Sequence, residues 1–369
     1  MRIAQIAPLI ESVPPKLYGG TERIVSYLTE ELVALGHDVT LFASGDSLTT
    51  ARLVPCAPRA LRLDPRNCDP NPYYMLMLDR VRRAAGSFDI LHFHIDYFPC
   101  ALFRDASQSI VTTLHGRQDL PDLDQFYPAF GDMRFVSISD SQRAPLPQVD
   151  FARTIYHGLP LTLHKPNYSP TGGYVAFLGR ISPEKGPERA VAIAQAAGVP
   201  LKVAAKVDPT EVQYHHDNFA PLTTLPGIDF IGEINETKKT GFLGNASALL
   251  FPIDWPEPFG IVMIEAMACG TPVLAFRRGS TPEVIDDGVT GIVVDTVEEA
   301  IAALPRVMAL DRRLVRKRFE ERFGAPTMAR NYVALYRAML GARPVWKPRA
   351  PAPVMPAFND ETAPFSRPA

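Results

Sequence analysis

The chain has 369 residues, 46% of them hydrophobic and 21% charged, and a formal net charge of −2. That length can bury two ordinary cores, and the near-neutral charge supplies no basic surface for a phosphate backbone, so no nucleic-acid partner is expected. Cys56, Cys68, Cys100 and Cys269 show no C-x-x-C spacing, which argues against a disulfide framework or cysteine zinc site and fits a reducing cytoplasm.

Met1 to Ile10 is apolar but short, and the strand pattern from Arg2 to Ala7 reads as a first buried strand rather than a signal peptide. No apolar run approaches the roughly 18 residues that span a bilayer, so a peripheral contact at the inner membrane face is the most the chain is expected to make. The following loop ends in Tyr18-Gly19-Gly20-Thr21, with Thr21 as the expected N-cap of a helix striped by Ile24, Tyr27, Leu28, Leu32 and Leu35. Gly36 stops that helix, and the strand Val39 to Ala43 completes a β-α-β unit. Gly19 and Gly20 then lie outside the carboxyl end of the first strand, where such units receive ligands or simply turn. The G-x-G-x-x-G fingerprint of dinucleotide binding is missing.

Residues 51 to 72, rich in Pro, Asp and Arg, read as loop. Tyr73 to Ala85 reads as a helix with Leu76, Met77, Val81 and Ala84 inward, and with Arg80, Arg82 and Arg83 toward solvent or toward anionic headgroups. A strand from Ile90 to His94 leads into Asp96. If it ran on, His92, His94 and Asp96 would share a face as a metal trio; otherwise His94 and Asp96 end the strand and line a cleft for an acceptor hydroxyl. The strand Ile110 to Leu114 delivers His115 to the mouth of a parallel sheet, where an imidazole can bond a sugar hydroxyl or merely meet water. Asp122-Leu123-Asp124 matches the D-x-D pattern of metal-dependent transferases but lacks a preceding strand, so it reads as a loop coincidence. After the strand Arg134 to Ile138, residues 144 to 172 carry five prolines and mark a domain boundary.

The second half restarts with a strand from Tyr174 to Leu178 and the loop Gly179-Arg180-Ile181-Ser182-Pro183-Glu184-Lys185-Gly186. A helix from Pro187 to Ala197 follows, delimited by Pro187 and Gly198. Two cations flanked by glycines beside a helix N-terminus suit a diphosphate, since Arg180 can grip oxygens with a fork and Lys185 adds a point charge. Alternating segments at 201–205, 211–219, 228–231, 236–245 and 248–251 continue a parallel α/β pattern.

Glu257-Pro-Phe-Gly-Ile-Val-Met-Ile-Glu265 follows, ahead of Gly270 and the strand Val273 to Phe276. Acids near a helix start are common because they favour its dipole, but Glu265 stands among Ile264 and Ala266 and needs a partner if buried. Backbone N–H groups at Phe259, Gly260 and Ile261 face a cleft, and from Gly260 to Glu265 the helix rises roughly 7 Å, so one carboxylate could hold each sugar of a nucleotide-sugar. A strand at 291–294 and helices at 297–309, 311–322 and 326–340 close the fold, and a proline-rich tail from 342 to 369 is expected to be disordered.

Together Gly19-Gly20, His115, Gly179-Arg180, Lys185-Gly186 and Glu257-x7-Glu265 resemble the retaining glycosyltransferases of family 4, over residues 1 to about 340. The resemblance implies the α/β GT-B fold: two Rossmann-like domains with parallel sheets facing across a cleft, and a C-terminal helix crossing back to the first domain. It divides the chain into an acceptor domain at 1–165, a donor domain at 166–325 and a crossover helix at 326–341. It further implies transfer of a hexose from a UDP- or GDP-linked donor to a hydroxyl acceptor, without metal or other cofactor, in the cytoplasm. By the same resemblance Arg180 and Lys185 hold the diphosphate, Glu257 with Phe259, Gly260 and Ile261 the donor sugar, and Glu265 the ribose. His115 would touch the transferred sugar, while Gly19, Gly20 and Gly179 allow close approach. Asp254-Trp255-Pro256 is bulkier than the family's usual residues there, which leaves the acceptor open. An epimerase, hydrolase or phosphorylase on the same cleft, or a noncatalytic sugar-nucleotide binder, are the competing readings.

Overall fold

The computed structural model describes residues 1–16 and 19–341, apart from the side chains of 106–108. The tail from 342 and Tyr18 in the glycine loop lie outside the described residues. The first sheet comprises β1 (Arg2–Ile6), β2 (Asp38–Ser44), β3 (Arg52–Ala57), β4 (Ile90–Phe93), β5 (Ile110–Thr113), β6 (Phe135–Ser137) and β7 (Phe151–Thr154), in the order β3-β2-β1-β4-β5-β6-β7. The second comprises β8 (Val175–Arg180), β9 (Leu201–Lys206), β10 (Ile228–Gly232), β11 (Leu249–Phe251), β12 (Val273–Phe276) and β13 (Gly291–Val294), in the order β10-β9-β8-β11-β12-β13. All pairings are parallel. Central strands such as β4, β5 and β12 are buried along their whole length, as expected when helices cover both faces.

Strand order reverses between β1 and β4 in one sheet and between β8 and β11 in the other. Loops leaving the two strands at a reversal diverge to opposite faces and open a crevice beyond their carboxyl ends. Gly19 and Gly20 follow β1, Lys185 follows β8 and Glu257 follows β11, so the fold delivers these loops to the two crevices.

The chain passes between the sheets twice, and the passes run side by side: Leu159 N–H donates to the Phe323 carbonyl at 2.9 Å and Ala325 N–H to the Leu159 carbonyl at 2.8 Å. Gly158 is required there, because a Cβ would stand 2.8 Å from the Gly324 carbonyl oxygen. Arg316 fastens this region, donating to the carbonyls of His164 (3.0 Å), Ala268 (2.6 Å) and Leu161 (2.7 Å). The last helix, Ala325–Gly341, lies on the first sheet, with Tyr332 OH 2.9 Å from Thr113 Oγ1 and Tyr336 OH 2.7 Å from His92 Nδ1. Across the interface Glu283 accepts from the Asp140 and Ser141 N–H groups at 2.7 and 2.6 Å. The first sheet ends at Thr154 and the second begins at Val175; we keep residue 165, between them, as our proposed division.

Several local expectations are corrected. Residues 52–57 form a strand, an edge position that tolerates Pro55 and so hid its signal. Phe151–Thr154, inside the expected linker, pairs with β6 as a seventh strand. Thr21 is not the N-cap: the first helix begins at Gly20 with Gly19 capping through its backbone alone. The helix Asn71–Ala84 turns Tyr74, Met77, Leu78 and Val81 inward and leaves Leu76 66% exposed, a phase error of about one residue. Asp122 and Asp124 are exposed at the start of a short helix, away from the cleft.

Candidate active site

The two crevices merge into one cleft of about 770 Å³. Gly19, Gly20, His115, Gly179, Arg180, Lys185, Glu257, Phe259, Gly260, Ile261 and Glu265 all line it. Eight Lys or Arg side chains line it against five Glu, although the chain as a whole is net −2. Charge is therefore concentrated to receive an anion.

Sequence builds this site through short loops. Gly260 caps the helix Ile261–Ala268 in a left-handed conformation, φ 74°, and a Cβ there would lie 2.7 Å from Met263 Cε and 3.2 Å from Phe251 Cζ. No side chain caps that helix, which leaves its first N–H groups at the cleft. Gly186 does the same for the helix Pro187–Ala197, where a Cβ would meet the Pro252 carbonyl at 2.4 Å. Asp254 N–H donates to the Glu184 carbonyl at 2.8 Å and Arg189 Nε to the Pro252 carbonyl at 2.7 Å, so the loops after β8 and β11 are tied together. Gly20 faces Ile261 of the opposite half, whose Cδ1 would stand 3.6 Å from a Cβ at Gly20, an ordinary contact.

Each cation of the β8 loop has a carboxylate partner. Arg180 pairs with Glu184, and Lys185 pairs with Glu257. Glu257 also accepts from Trp255 Nε1 at 3.2 Å, and Lys185 Nζ stands 4.5 Å from the Trp255 ring centre. Trp255 thus braces the Lys185–Glu257 pair from within the second half of the chain.

Glu265, 3% exposed, does have the partner its burial demands. Lys239 Nζ is 2.6 Å away and also 3.3 Å from Glu236, and Glu236 in turn meets Arg23 of the opposite half at 2.5 Å. Burial alone would raise the Glu265 carboxyl, but Lys239, with help from His164 and Arg23, holds it below the ordinary glutamate range. His164, Glu236 and Glu265 sit close enough to share a metal ion, yet Lys239 and Arg23 already supply positive charge to both carboxylates. None of Arg23, Glu236 and Lys239 was singled out in the sequence. The spacing of Glu236 and Lys239, one helical turn apart just after β10, is the only signal that could have drawn notice.

His115 lines the cleft with its Nε2 2.9 Å from His94 Nδ1, and burial drives its pKa down to about 3, so it is a neutral imidazole. Its ring stacks on His157, 5.2 Å between centres, and His157 meets Phe259 edge-on at 4.9 Å. His157, which also lines the cleft, carried no sequence signal beyond its place in the linker. His94 and Asp96 do not line the cleft. His94 is 2% exposed and lies behind His115, and its Nε2 is 2.7 Å from Gln5. Burial raises the Asp96 carboxyl to about 6 against the pull of the His115 backbone N–H, so this side chain steadies the His115 loop. His92 turns to Tyr336 and Thr113, and the three do not form a metal trio. Strand β4 ends at Phe93, and Asp96 has left-handed backbone, φ 48°, so the alternation that would align them stops.

Two parallel α/β sheets whose switch points face a shared cleft define the GT-B class of glycosyltransferase architecture. Solved structures of that class agree with it over most of the chain. AviGT4, a glycosyltransferase involved in avilamycin A biosynthesis, is 23% identical with a TM-score of 0.69, covering 92% of this chain and 98% of its own. Sucrose-phosphate synthase of Thermosynechococcus elongatus is 21% identical with a TM-score of 0.75 and the same coverage. Anabaena HepE, solved in complex with UDP and glucose, is 17% identical with a TM-score of 0.66, covering 92% of this chain and all of its own. The family profiles for glycosyl transferases group 1 and for glycosyltransferase family 4 match residues 163–322 and 18–148. The chain belongs to that family, the GT-B glycosyltransferases of the family 4 type. D-inositol 3-phosphate glycosyltransferases of Mycobacterium tuberculosis and Mycobacterium bovis are 33% identical over 181 residues, a match that takes in 45% of this chain and only 37% of theirs. Among the described residues no helix is long and apolar enough to cross a membrane.

Proposed function

We propose that the protein transfers a hexose from a UDP- or GDP-linked donor to a hydroxyl acceptor with retention of anomeric configuration and without a metal. The observation that carries this reading is the convergence of Arg180, Lys185, Glu257 and Glu265 on one cation-rich cleft between two sheet switch points. In this reading the diphosphate draws Arg180 and Lys185 away from Glu184 and Glu257. Lys185 exchanges one anion for another, and Glu257 is released to accept from sugar hydroxyls. The helix start at Gly260 and Ile261 supplies further N–H donors. Glu265, kept ionised by Lys239, accepts from the ribose. A neutral His115 meets the transferred sugar as a hydrogen-bonding group rather than as a proton carrier.

The chemistry is same-face displacement. The acceptor hydroxyl attacks the anomeric carbon as the bond to the departing phosphate breaks, and that phosphate takes the hydroxyl proton. Arg180 and Lys185 stabilise the charge that grows on it. No side chain is assigned as a covalent nucleophile. We place the enzyme in the cytoplasm, with exposed Arg80, Arg82 and Arg83 as the surface that would meet anionic headgroups.

A nucleotide-sugar panel read by thermal shift tests the donor site, because a true donor at 100 times its Kd stabilises by about 2.7 kcal/mol. Incubation of the stabilising nucleotide-sugar alone, and then with candidate acceptors, separates transfer from epimerisation, hydrolysis or mere binding. Turnover that survives EDTA supports the metal-free reading, and turnover abolished by EDTA and restored by a divalent cation overturns it.

A further inference from the structure

Behind His115 runs a buried chain of polar groups that the reaction as described does not use. His115 Nε2 is 2.9 Å from His94 Nδ1, and His94 Nε2 is 2.7 Å from Gln5 Oε1. Gln5 Nε2 lies 3.3 Å from Tyr336 OH and 3.4 Å from His92 Nδ1. Tyr336 OH is 2.7 Å from His92 Nδ1, whose ring closes on Thr113 Oγ1 through Nε2 at 2.7 Å. Gln5, His92 and Tyr336 are fully buried and His94 nearly so. Burial keeps His92, His94 and His115 neutral.

A neutral imidazole carries one ring proton, so each ring must donate at one nitrogen and accept at the other. The amide carbonyl of Gln5 can only accept, which places the His94 proton on Nε2 and makes its Nδ1 an acceptor. His115 must then donate from Nε2, and its Nδ1 is left as a lone pair. That Nδ1 is buried without a partner, on a side chain that lines the cleft. The reverse order would strand a buried N–H donor at the same place, which native structures rarely tolerate, whereas an under-used acceptor is less costly.

We propose that Tyr336, Gln5 and His94 form a positioning relay that holds the cleft-lining His115 ring in one orientation and fixes it as the Nε2–H tautomer. That His115 meets the donor's sugar rests on the sugar-transfer reading; the order of protons does not. The relay also ties the last helix to the site: Tyr336 enters from a segment that has already crossed the donor half.

Histidine-labelled full-length protein, read by long-range ¹⁵N–¹H NMR, reports which ring nitrogen bears each proton, with the His115 signals assigned by their loss in His115→Gln. The expected result is a protonated Nε2 and an unprotonated Nδ1 at His115, unchanged between pH 5 and 8. A protonated Nδ1 or an imidazolium overturns the proposal. Gln5→Met keeps the side-chain length but removes the acceptor, and should give a mixture of His115 tautomers; retention of the pure Nε2–H form would sink the relay. Tyr336→Phe, a smaller change that preserves packing, should move the His115 signals in the same direction by less, and unchanged signals would exclude Tyr336 from the relay. In the same variants the release of UDP from UDP-glucose should fall roughly three- to tenfold, the rate equivalent of one neutral hydrogen bond. If His115→Gln turns over normally while the wild-type tautomer is as expected, the sugar contact falls and the relay is supported. If the tautomer is reversed while His115→Gln is inactive, the relay falls and the transfer reading is untouched.

Discussion

Replacing Lys239 by methionine should turn Glu265 from an ionised into a protonated group, and the cost should depend on pH in a predictable way. Lys239 Nζ stands 2.6 Å from a carboxylate only 3% exposed. At an effective dielectric of about 20, a contact of that length corresponds to roughly 6 kcal/mol of attraction. The observable loss is smaller, because the buried acid can take up a proton instead of staying charged. Protonating a group of ordinary pKa 4.5 costs about 3.4 kcal/mol at pH 7 and about 0.7 kcal/mol at pH 5, which sets the scale of the destabilisation and its dependence on pH. Arg23 keeps its link to Glu236, so roughly 2–3 kcal/mol is expected at pH 7.

The sign follows from the direction of each shift. In the wild type Glu265 lies below its unfolded value, so its contribution is fully present above about pH 4.5, is lost only as pH falls through the folded value, and is flat from pH 5 to 7. In Lys239→Met the folded value is raised above the unfolded one. The native state then holds the extra proton, and stability is lost as pH rises through this window. Urea unfolding of both proteins at pH 5, 6 and 7, followed by circular dichroism, should show a gap that widens with pH. A gap constant across that range would refute the assignment of Lys239 as the charge that keeps Glu265 ionised.

Arg180→Ala should lower turnover on the order of 10²–10³-fold while leaving the thermal midpoint nearly unchanged, since Arg180 is only half-buried and pairs locally with Glu184; near-wild-type turnover would remove it from the mechanism. Gly260→Ala should destabilise by about 1–3 kcal/mol through its left-handed φ of 74° and the 2.7 Å approach to Met263, and should weaken nucleotide-sugar binding measured by calorimetry. Arg316→Met should be the most damaging to stability, roughly 3–5 kcal/mol by urea unfolding, because it strands three carbonyls that the guanidinium now satisfies. Its turnover per folded molecule should stay close to wild type. Arg23→Met removes the ion pair that links Arg23 to Glu236 of the opposite half, and should raise the donor KM more than it lowers kcat.

Pro187 and Gly198 bound their helix as expected, and the strands at Val273–Phe276 and Gly291–Val294 coincide with their apolar runs. Such elements are set by local chemistry: a ring that fixes φ, a residue free of Cβ, a run of branched side chains. The β3 and β7 strands were missed for the opposite reason. Each is an edge or near-edge strand with polar, proline-bearing or short sequence, and only its neighbour's unpaired backbone makes it a strand.

Two β-loop-α units with glycines, cations and acids at their strand ends, and Glu257 and Glu265 on either side of one helix start, are legible in the residues alone. Those are short-range facts, decided within a few residues. Long-range packing is what brings Lys239 and Arg23 to the acid cluster of Glu236 and Glu265, sets Trp255 against Lys185, and turns His94 inward to Gln5 instead of outward to an acceptor. Buried polar atoms must find partners, and in a crossed, two-sheet chain those partners come from whichever segments packing brings alongside. Gln5 and Tyr336 stand near opposite ends of the described chain and meet in the interior, a pairing that no local pattern encodes.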